Sequence, residues 1–146
     1  MKIIRLQHSY NASPERVWAV VTDYNALARV MDGIVTFEGL PDGRTETGQK
    51  IDVLVSVFGK LPAQPYHMEV ILCDDAAMVL QSSERGAGVK SWTHRLSVQN
   101  TPSGCILTDE IEIDAGVLTP VFVMWARYLY RARHKPRLEL LQSGVF

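Results

Sequence analysis

The stretch that decides the fold is residues 119–141, TPVFVMWARYLYRARHKPRLELL. Thr119 is a suitable helix N-cap, and Pro120 suits the first helical position, where its missing N–H costs nothing. The next five residues, VFVMW, are all apolar, whereas the second half of the stretch is basic and amphipathic. A helix that is apolar all round for two turns must be covered by other elements. Because the preceding chain shows mainly strand patterns, we expect one sheet to wrap around this helix.

Length and composition limit the functions open to the chain. With 146 residues, of which 47% are hydrophobic, we expect a single domain over residues 1–146. The net charge of -1 argues against nucleic acid as a partner. The N-terminus, MKIIRLQHSY, lacks the apolar segment of a signal peptide, and no apolar run reaches the ~20 residues of a membrane span. We therefore expect a cytoplasmic protein without a transmembrane segment.

The sequence lacks the common motifs of cofactor and nucleophile chemistry. Cys73 and Cys105 have no CxxC partner, so they indicate neither a disulfide framework nor a zinc site, and we expect buried free thiols. No GxSxG, HExxH, Walker or GxGxxG motif is present. His67 beside Glu69 has the outward parity of its strand and makes a poor metal site. We therefore expect neither a cofactor nor a metal.

One strand and two short helices open the chain. Alternation in residues 2–10 places four side chains on the inner face of the first strand: Ile4, Leu6, His8 and Tyr10. Ser13-Pro14-Glu15 opens the first helix, because serine caps it, proline suits its first turn and the acid complements the macrodipole. A second short helix runs from about residue 24 to 31 and ends at Asp32-Gly33.

Strand patterns separated by turn residues fill the middle of the chain. The expected strands cover residues 34–40, 47–58, 64–73, 77–84, 90–100 and 105–114. Sequences such as Pro41-Asp42-Gly43 and Thr101-Pro102-Ser103-Gly104 are typical of turns. With the first strand, these patterns predict seven strands joined largely by hairpins, and hence an antiparallel sheet.

Alternation also assigns one face of this sheet to the interior. Residues directly opposite each other in an antiparallel pair share a face, so each hairpin checks the assignment. With the expected turns, Val70 lies opposite Leu80 and Val55 lies opposite Tyr66. The predicted inner face comprises Ile51, Val53, Val55, Val57, Tyr66, Met68, Val70, Leu72, Met78, Leu80, Ser82, Trp92, His94, Leu96, Val98, Cys105, Leu107, Asp109, Ile111 and Ile113.

Two residues of this face, His94 and Asp109, stand out because they are polar and titratable. A four-residue loop at 101–104 predicts that they lie directly opposite each other. A buried carboxylate is costly unless it is paired, and an imidazole is a suitable partner that the carboxylate would orient. The pair could be structural, could orient a ligand or could transfer protons; alternatively, a bulge could turn Asp109 outward beside Glu110 and Glu112.

Three further features carry weaker expectations. Glu84 and Lys90 are expected to form a solvated pair at the rim of a cavity. His134, among the arginines of the last helix, is expected to face solvent. Pro136 costs ~3 kcal/mol inside a helix, so the last helix is expected to bend or restart there.

The segment Ala12-Ser13-Pro14-Glu15-x-Val17-Trp18, the following six strands and the long C-terminal helix resemble the START-like, or SRPBCC, superfamily. Within it, the chain is most similar to the polyketide cyclase/dehydrase-like group of small bacterial proteins, as is its Arg-rich segment 130–138. The resemblance implies an α+β helix-grip fold: a seven-stranded antiparallel sheet curved around a long C-terminal helix, with two short helices between strands 1 and 2. It also implies a cavity for an apolar or aromatic ligand between sheet and helix.

The favoured function is binding or transport of a small hydrophobic or aromatic molecule, such as a lipid, a quinone or a polyketide-like compound. Parity and the helix pattern predict a set of ligand-binding residues: Tyr10, Val55, Tyr66, Met68, Leu80, Ser82, Trp92, Leu107, Ile111, Met124, Trp125 and Tyr128.

Two other functions remain open. One is a cyclase, dehydratase or isomerase in which His94 is the acid or base, Asp109 orients it, and Tyr66 or Tyr10 donates to an oxyanion. The other is an interaction module whose partner, an acidic protein or a membrane surface, docks on the basic residues of the last helix: Arg127, Arg131, Arg133, Lys135 and Arg137. The fold does not decide among these functions, and the sequence leaves the oligomeric state open.

Overall fold

The computed structural model describes residues 2–144 and shows a seven-stranded antiparallel sheet curved around the C-terminal helix. The strands are β1 (Lys2–Tyr10), β2 (Val35–Glu38), β3 (Lys50–Val57), β4 (Gln64–Asp74), β5 (Val79–Gly86), β6 (Val89–Thr101) and β7 (Gly104–Asp114). The helices are α1 (Pro14–Val21), α2 (Tyr24–Val30), α3 (Thr119–Ala132) and α4 (His134–Ser143). The strand order is β1-β7-β6-β5-β4-β3-β2, which confirms the predicted helix-grip fold.

Side-chain caps start both short helices between β1 and β2. The Ser13 hydroxyl accepts a hydrogen bond from the backbone N–H of Arg16 at 3.3 Å, and Pro14 occupies the first turn of α1. The Asp23 carboxylate accepts one from the N–H of Ala26 at 2.8 Å and so starts α2. Both helices turn apolar side chains toward the space enclosed by the sheet. No helix within residues 2–144 is long and apolar enough to cross a membrane.

The C-terminal helix breaks where its proline predicts. Pro136 has no N–H to donate to the carbonyl of Ala132, and its ring would collide with that carbonyl. Accordingly α3 ends at Ala132, and α4 begins at His134 after the single residue Arg133. The two segments pack on different partners, α3 on β1 and β7 and α4 on α1 and α2.

The predicted N-cap of this helix is wrong. Leu118 occupies the cap position without a side-chain hydrogen bond, and Thr119 is the first helical residue. A short 3-10 turn, Gly116–Leu118, leads into α3. The Thr119 hydroxyl instead stabilises this turn, because it accepts from the N–H of Ala115 at 3.0 Å and donates to the carbonyl of Gly116 at 2.7 Å.

The strand registers differ from the predicted ones by two residues. Thr101 pairs with Gly104, so the loop between β6 and β7 has two residues and not four, and His94 lies opposite Ile111. Gly104 also permits the close approach of β1 to the start of β7, since a Cβ there would collide with the carbonyl oxygen of Tyr10. Side chains alternate with a period of two, so a two-residue shift leaves every residue on its predicted face. His94 and Asp109 therefore share the inner face as diagonal neighbours.

The same shift occurs in the other two hairpins that the sequence aligned. Val53, and not Val55, lies opposite Tyr66, and Val70 lies opposite Ser82, not Leu80. A β-bulge at Ile71 then inserts one extra residue into β4. Beyond the bulge the alternation is reversed, so the assignment of Leu72 to the inner face is wrong: its side chain is 37% exposed on the other face.

A contact between half-buried histidine rings also forms where α4 meets β1. The rings of His8 and His134 stack with their centroids 4.8 Å apart, and the Tyr10 ring lies 4.9 Å from His134. The expectation that His134 faces solvent is therefore wrong. Burial lowers the pKa of both imidazoles, and the charges of His134 and Arg137 lower the pKa of His8 further, against the opposing charge of Asp109.

This contact predicts a dependence of stability on pH. Both histidines have folded-state pKa values below 6.5, so the unfolded chain binds more protons as the pH falls through that value. The free energy of unfolding should therefore fall between about pH 7 and about pH 5. We predict that His134→Phe, which keeps a ring in the stack, makes this fall smaller in urea denaturation experiments.

His67 on the outer face provides a control of opposite sign. Hydrogen bonds to Glu69 and Asp52 raise the pKa of His67. Its stabilisation is therefore complete below pH 6.5 and is lost as the pH rises through the raised value. His67→Phe should steepen the fall in stability on acidification. A His134→Phe variant that loses stability as steeply as the wild type would contradict the prediction.

Candidate functional site

A cavity of about 230 Å³ lies between the inner face of the sheet and the helices. Its walls come from β2 to β6 on one side and from α1, α2, α3 and α4 on the other, and they are mainly apolar. An apolar cavity of about 150 Å³ accepts benzene. The larger volume here therefore accommodates a molecule of about two fused rings.

Part of this wall consists of residues that the sequence indicated as candidates for the site. The predicted residues that line the cavity are Val55, Tyr66, Met68, Leu80, Ser82, Trp92 and Trp125, together with His94. The helical side of the wall was largely missed: α1 and α2 contribute Val20, Tyr24 and Leu27, the C-cap of α2 contributes Met31, and α3 contributes Phe122, Leu129 and Tyr130. Strand parity identifies a face of the sheet, but it contains no information about which helices cover that face.

The other five predicted ligand-binding residues lie away from the cavity. Leu107 and Ile111 are 0% exposed in the hydrophobic core, because the helices cover β7 directly and leave no space there. Tyr10 is buried in β1 beside His134. Met124 and Tyr128 are 73% and 49% exposed on the outer side of α3. In this helix Trp125 and Leu129 face the cavity, which turns their preceding neighbours outward.

A band of polar side chains crosses the inner face from β4 to β7. The hydroxyls of Tyr66 and Ser82 donate to the two oxygens of the Glu84 carboxylate at 2.9 Å and 2.7 Å. Ser82 lies directly opposite His94, and Nε2 of His94 lies 2.6 Å from Oδ1 of Asp109. These five residues form one continuous strip, which we call the polar band. Four of them line the cavity, whereas Asp109 lies behind His94.

The surroundings of Asp109, including its partner His94, favour the ionised form of its carboxylate. Burial alone would raise the pKa of Asp109, but the hydrogen bond from His94 and the positive charges of His94, Arg137 and Arg133 lower it below its ordinary value. An ionised Asp109 accepts the Nε2 proton of His94 and so leaves Nδ1 as the ring nitrogen for a ligand in the cavity.

Glu84 and Tyr66 form the second polar contact of the cavity. Burial and the adjacent charge of Glu84 raise the pKa of Tyr66 well above its ordinary value, so the phenol stays protonated and donates to the carboxylate. The predicted rim pair of Glu84 with Lys90 is wrong: among the described ion pairs none joins these two residues, and hydroxyl donors replace the ammonium. The β4–β5 register determines this, because it brings Tyr66 next to Glu84.

Three residues of the C-terminal helix lie against the polar band. The Tyr130 ring meets His94 edge to face at 4.9 Å, and its hydroxyl accepts from Nε1 of Trp92 at 3.3 Å. The Arg133 guanidinium lies 4.3 Å from the centre of the Tyr130 ring. Arg137 also lines the cavity, although its side chain is only 4% exposed.

The inward position of the two arginines was not predicted, although the sequence contains a signal for it. Ala126, Tyr130, Arg133 and Arg137 follow one another at spacings of three and four, which continues the buried stripe of α3 into α4. The site therefore combines apolar walls, two carboxylates, one imidazole and two guanidinium groups. Residues 2–144 contain no cluster of three or more side chains suited to a metal ion.

Solved structures with the same fold are numerous. Protein CV1439 from Chromobacterium violaceum superposes with a TM-score of 0.77 at 16% identity, covering 96% of this chain and 97% of that chain. Ara h 8.0201 gives a TM-score of 0.76 at 9% identity, with 98% and 99% coverage. Norcoclaurine synthase from Thalictrum flavum, in complex with dopamine and hydroxybenzaldehyde, gives 0.69 at 21% identity, with 99% and 88% coverage. At these identities, the similarity shows the fold alone.

Sequence comparison identifies the family directly. No curated protein matches the chain. The family model described as polyketide cyclase / dehydrase and lipid transport matches residues 1–144, nearly the whole chain. This match confirms the resemblance seen in the sequence. The chain belongs to the polyketide cyclase/dehydrase and lipid transport family.

Proposed function

We propose that the protein binds a compact aromatic molecule in the cavity between the sheet and the C-terminal helix. The observation that carries this proposal is the cavity itself, which is apolar on most of its surface and polar along one continuous band. Apolar walls with a few grouped polar side chains are typical of small-molecule sites. The family description supports hydrophobic ligand binding in general.

The size of the cavity favours a compact ligand over a long lipid. Its volume of about 230 Å³ is below the ~300–1,000 Å³ usual for ligand pockets. Trp92, Trp125 and Tyr66 present aromatic surfaces, and Met68 and Met31 add adaptable thioethers that pack well on rings. The ligands named for norcoclaurine synthase, dopamine and hydroxybenzaldehyde, are themselves compact aromatic molecules, which agrees with this proposal.

The proposal predicts that filling the cavity abolishes binding. The probe is naphthalene-2-carboxamide, a neutral molecule with two fused rings, titrated by isothermal titration calorimetry. Met68→Trp places a large ring in the cavity and should weaken binding by about tenfold or more. Met124→Trp is the matched control, because Met124 is exposed on the outer side of α3, and its affinity should stay within about twofold of the wild type.

Two results would contradict the proposal. One is that the wild type does not bind the probe. The other is that Met124→Trp weakens binding as much as Met68→Trp does, which would place the ligand on the surface of α3. Circular dichroism and the urea midpoint of each variant establish that both proteins are folded when they are compared.

A second candidate function, acid–base catalysis, is favoured by the geometry of His94. Its imidazole lines the cavity while the buried, ionised Asp109 holds Nε2 at 2.6 Å. In its neutral form, this ring directs an unprotonated Nδ1 toward a bound molecule and can accept a proton from it. A carbon acid next to a carbonyl group is the substrate class that this base suits, as in cyclisation, dehydration or isomerisation.

The catalytic alternative predicts accelerated proton exchange on a bicyclic ketone. The protein should speed the exchange of the α-hydrogens of 2-tetralone for deuterium in D₂O, followed by proton NMR. His94→Gln should lower this rate by about a hundredfold, the usual contribution of a general base, while binding of naphthalene-2-carboxamide persists. Tyr128→Phe, a change on the exposed side of α3, should leave the rate unchanged. Exchange no faster than in buffer would exclude this function and leave the binding proposal intact.

The structure provides less support for an interaction module on the basic half of the C-terminal helix. Of the five basic residues considered there, Arg137 is buried and Arg133 lines the cavity. Of the other three, Arg131 and Lys135 are exposed and Arg127 is half-buried. Two exposed cations do not form the extended positive patch that steers an acidic partner.

A further inference from the structure

We propose that the ligand carries a carboxylate, and that Arg137 and Arg133 bind it at the end of the cavity beside His94. This inference rests on the proposed binding function and adds the chemical class of the ligand: an aromatic carboxylic acid in its ionised form. It derives from two guanidinium groups that line the cavity and that pair with no carboxylate among the described ion pairs.

Of the two guanidinium groups, that of Arg137 provides the stronger support for this inference. Its side chain is 4% exposed, lines the cavity, and has a buried Nη1 that makes no hydrogen bond. The guanidinium lies beside the Tyr10 hydroxyl, whose pKa is raised by burial and partly lowered again by Arg137. No described carboxylate forms an ion pair with Arg137. A buried cationic donor without an acceptor is costly, so a ligand acceptor that reaches this guanidinium would remove that cost.

Arg133 provides a second guanidinium one helical turn away. Its Nε donates to Sδ of Met31 at 3.0 Å, and its planar group lies over the Tyr130 ring. These two contacts fix the direction of the side chain and leave its terminal N–H groups without a carboxylate among the described ion pairs. Because Arg133 and Arg137 both line the cavity, one bound anion can lie within reach of both.

The acceptors already present in the polar band are largely occupied. Oδ1 of Asp109 is held by His94, and both oxygens of Glu84 accept hydroxyl hydrogen bonds from Tyr66 and Ser82. Asp109 and Glu84 contribute negative charge to this region, so the two arginines are balanced in part at a distance. Oδ2 of Asp109 is unpaired, but Asp109 is fully buried behind His94 and does not line the cavity. Neither of these carboxylates forms an ion pair with Arg133 or Arg137 among the described residues.

A carboxylate satisfies these donors better than a neutral group does. Its two oxygens match the fork of a guanidinium, and hydrogen bonds between ionised partners are about twice as strong as neutral ones. The remainder of the ligand, about two fused rings, would occupy the apolar part of the cavity near Trp92 and Met68.

The test compares 2-naphthoate with naphthalene-2-carboxamide, which has nearly the same shape but no charge. By calorimetry near neutral pH, the wild type should bind the carboxylate about tenfold or more tightly than the amide. Arg137→Gln should reduce this preference to about twofold or less while amide binding persists. Arg131→Gln is the matched control, since Arg131 is exposed in the last turn of α3, and it should keep the full preference.

A second variant keeps the inference testable if Arg137→Gln does not fold. Arg133→Gln changes a half-buried residue at the same end of the cavity and should also reduce the preference, by about threefold or more. A purely structural role for the arginines would lower stability in both variants without changing the ratio of the two affinities.

The outcomes separate this inference from the proposed function. If both probes bind the wild type with equal affinity, or if the amide binds more tightly, the cavity binds aromatic molecules but the carboxylate site is wrong. If the preference for 2-naphthoate over the amide persists in both Arg137→Gln and Arg133→Gln, the inference is also overturned. If neither probe binds, the proposed function fails and the inference fails with it.

Discussion

The rest of the site depends on the hydrogen bond between His94 and the buried carboxylate of Asp109. Asp109 lies midway along β7, the neighbour of the edge strand β1, is fully covered by protein, and stays ionised because His94 and two arginines favour its charge. Removing one partner of such a buried pair typically costs about 3–5 kcal/mol, since the other charge is left without compensation. The imidazole is therefore held in one orientation, with one nitrogen committed to Asp109 and its remaining surface on the cavity. Structural and functional roles of the pair are thus compatible.

The helices pack tightly on one part of the sheet and leave a cavity over another part. On β1 and β7, the C-terminal helix packs directly on the sheet and leaves Leu107 and Ile111 without access to solvent. On β2 to β6, the sheet curves away and encloses the cavity under α1 and α2. Pro136 contributes to this arrangement, because the break it causes separates α3 from α4. Arg137, one residue after the proline, then lies at the end of the cavity.

Much of the fold could be predicted from the sequence, because strand alternation and turn residues are local signals. The predicted registers of three hairpins were wrong by two residues, but a shift of two leaves side chains on the same face. His94 therefore still contacts Asp109, although the loop before Gly104 is shorter than expected. The bulge at Ile71 was not predictable from alternation, since nothing local distinguishes it, and it reversed the assignment of Leu72.

The helical half of the site was less predictable. The first half of α3 is apolar all round, so periodicity could not decide whether Met124 or Trp125 faces the cavity. The inward arginines were missed because charged side chains usually face water. Both failures concern the rotation of one helix relative to the sheet, which depends on tertiary packing and not on local sequence.

The most direct test of the account is the position of a bound aromatic ligand inside the fold. Methyl NMR spectra of ¹³C-methionine-labelled protein, recorded with and without 2-naphthoate, report on this position. Met31 and Met68 line the cavity, whereas Met124 lies on the exposed side of α3. If the ligand binds in the cavity, we expect large ring-current shifts for the methyl groups of Met31 and Met68 and none for Met124. Shifts confined to Met124, with the other two unchanged, would contradict it.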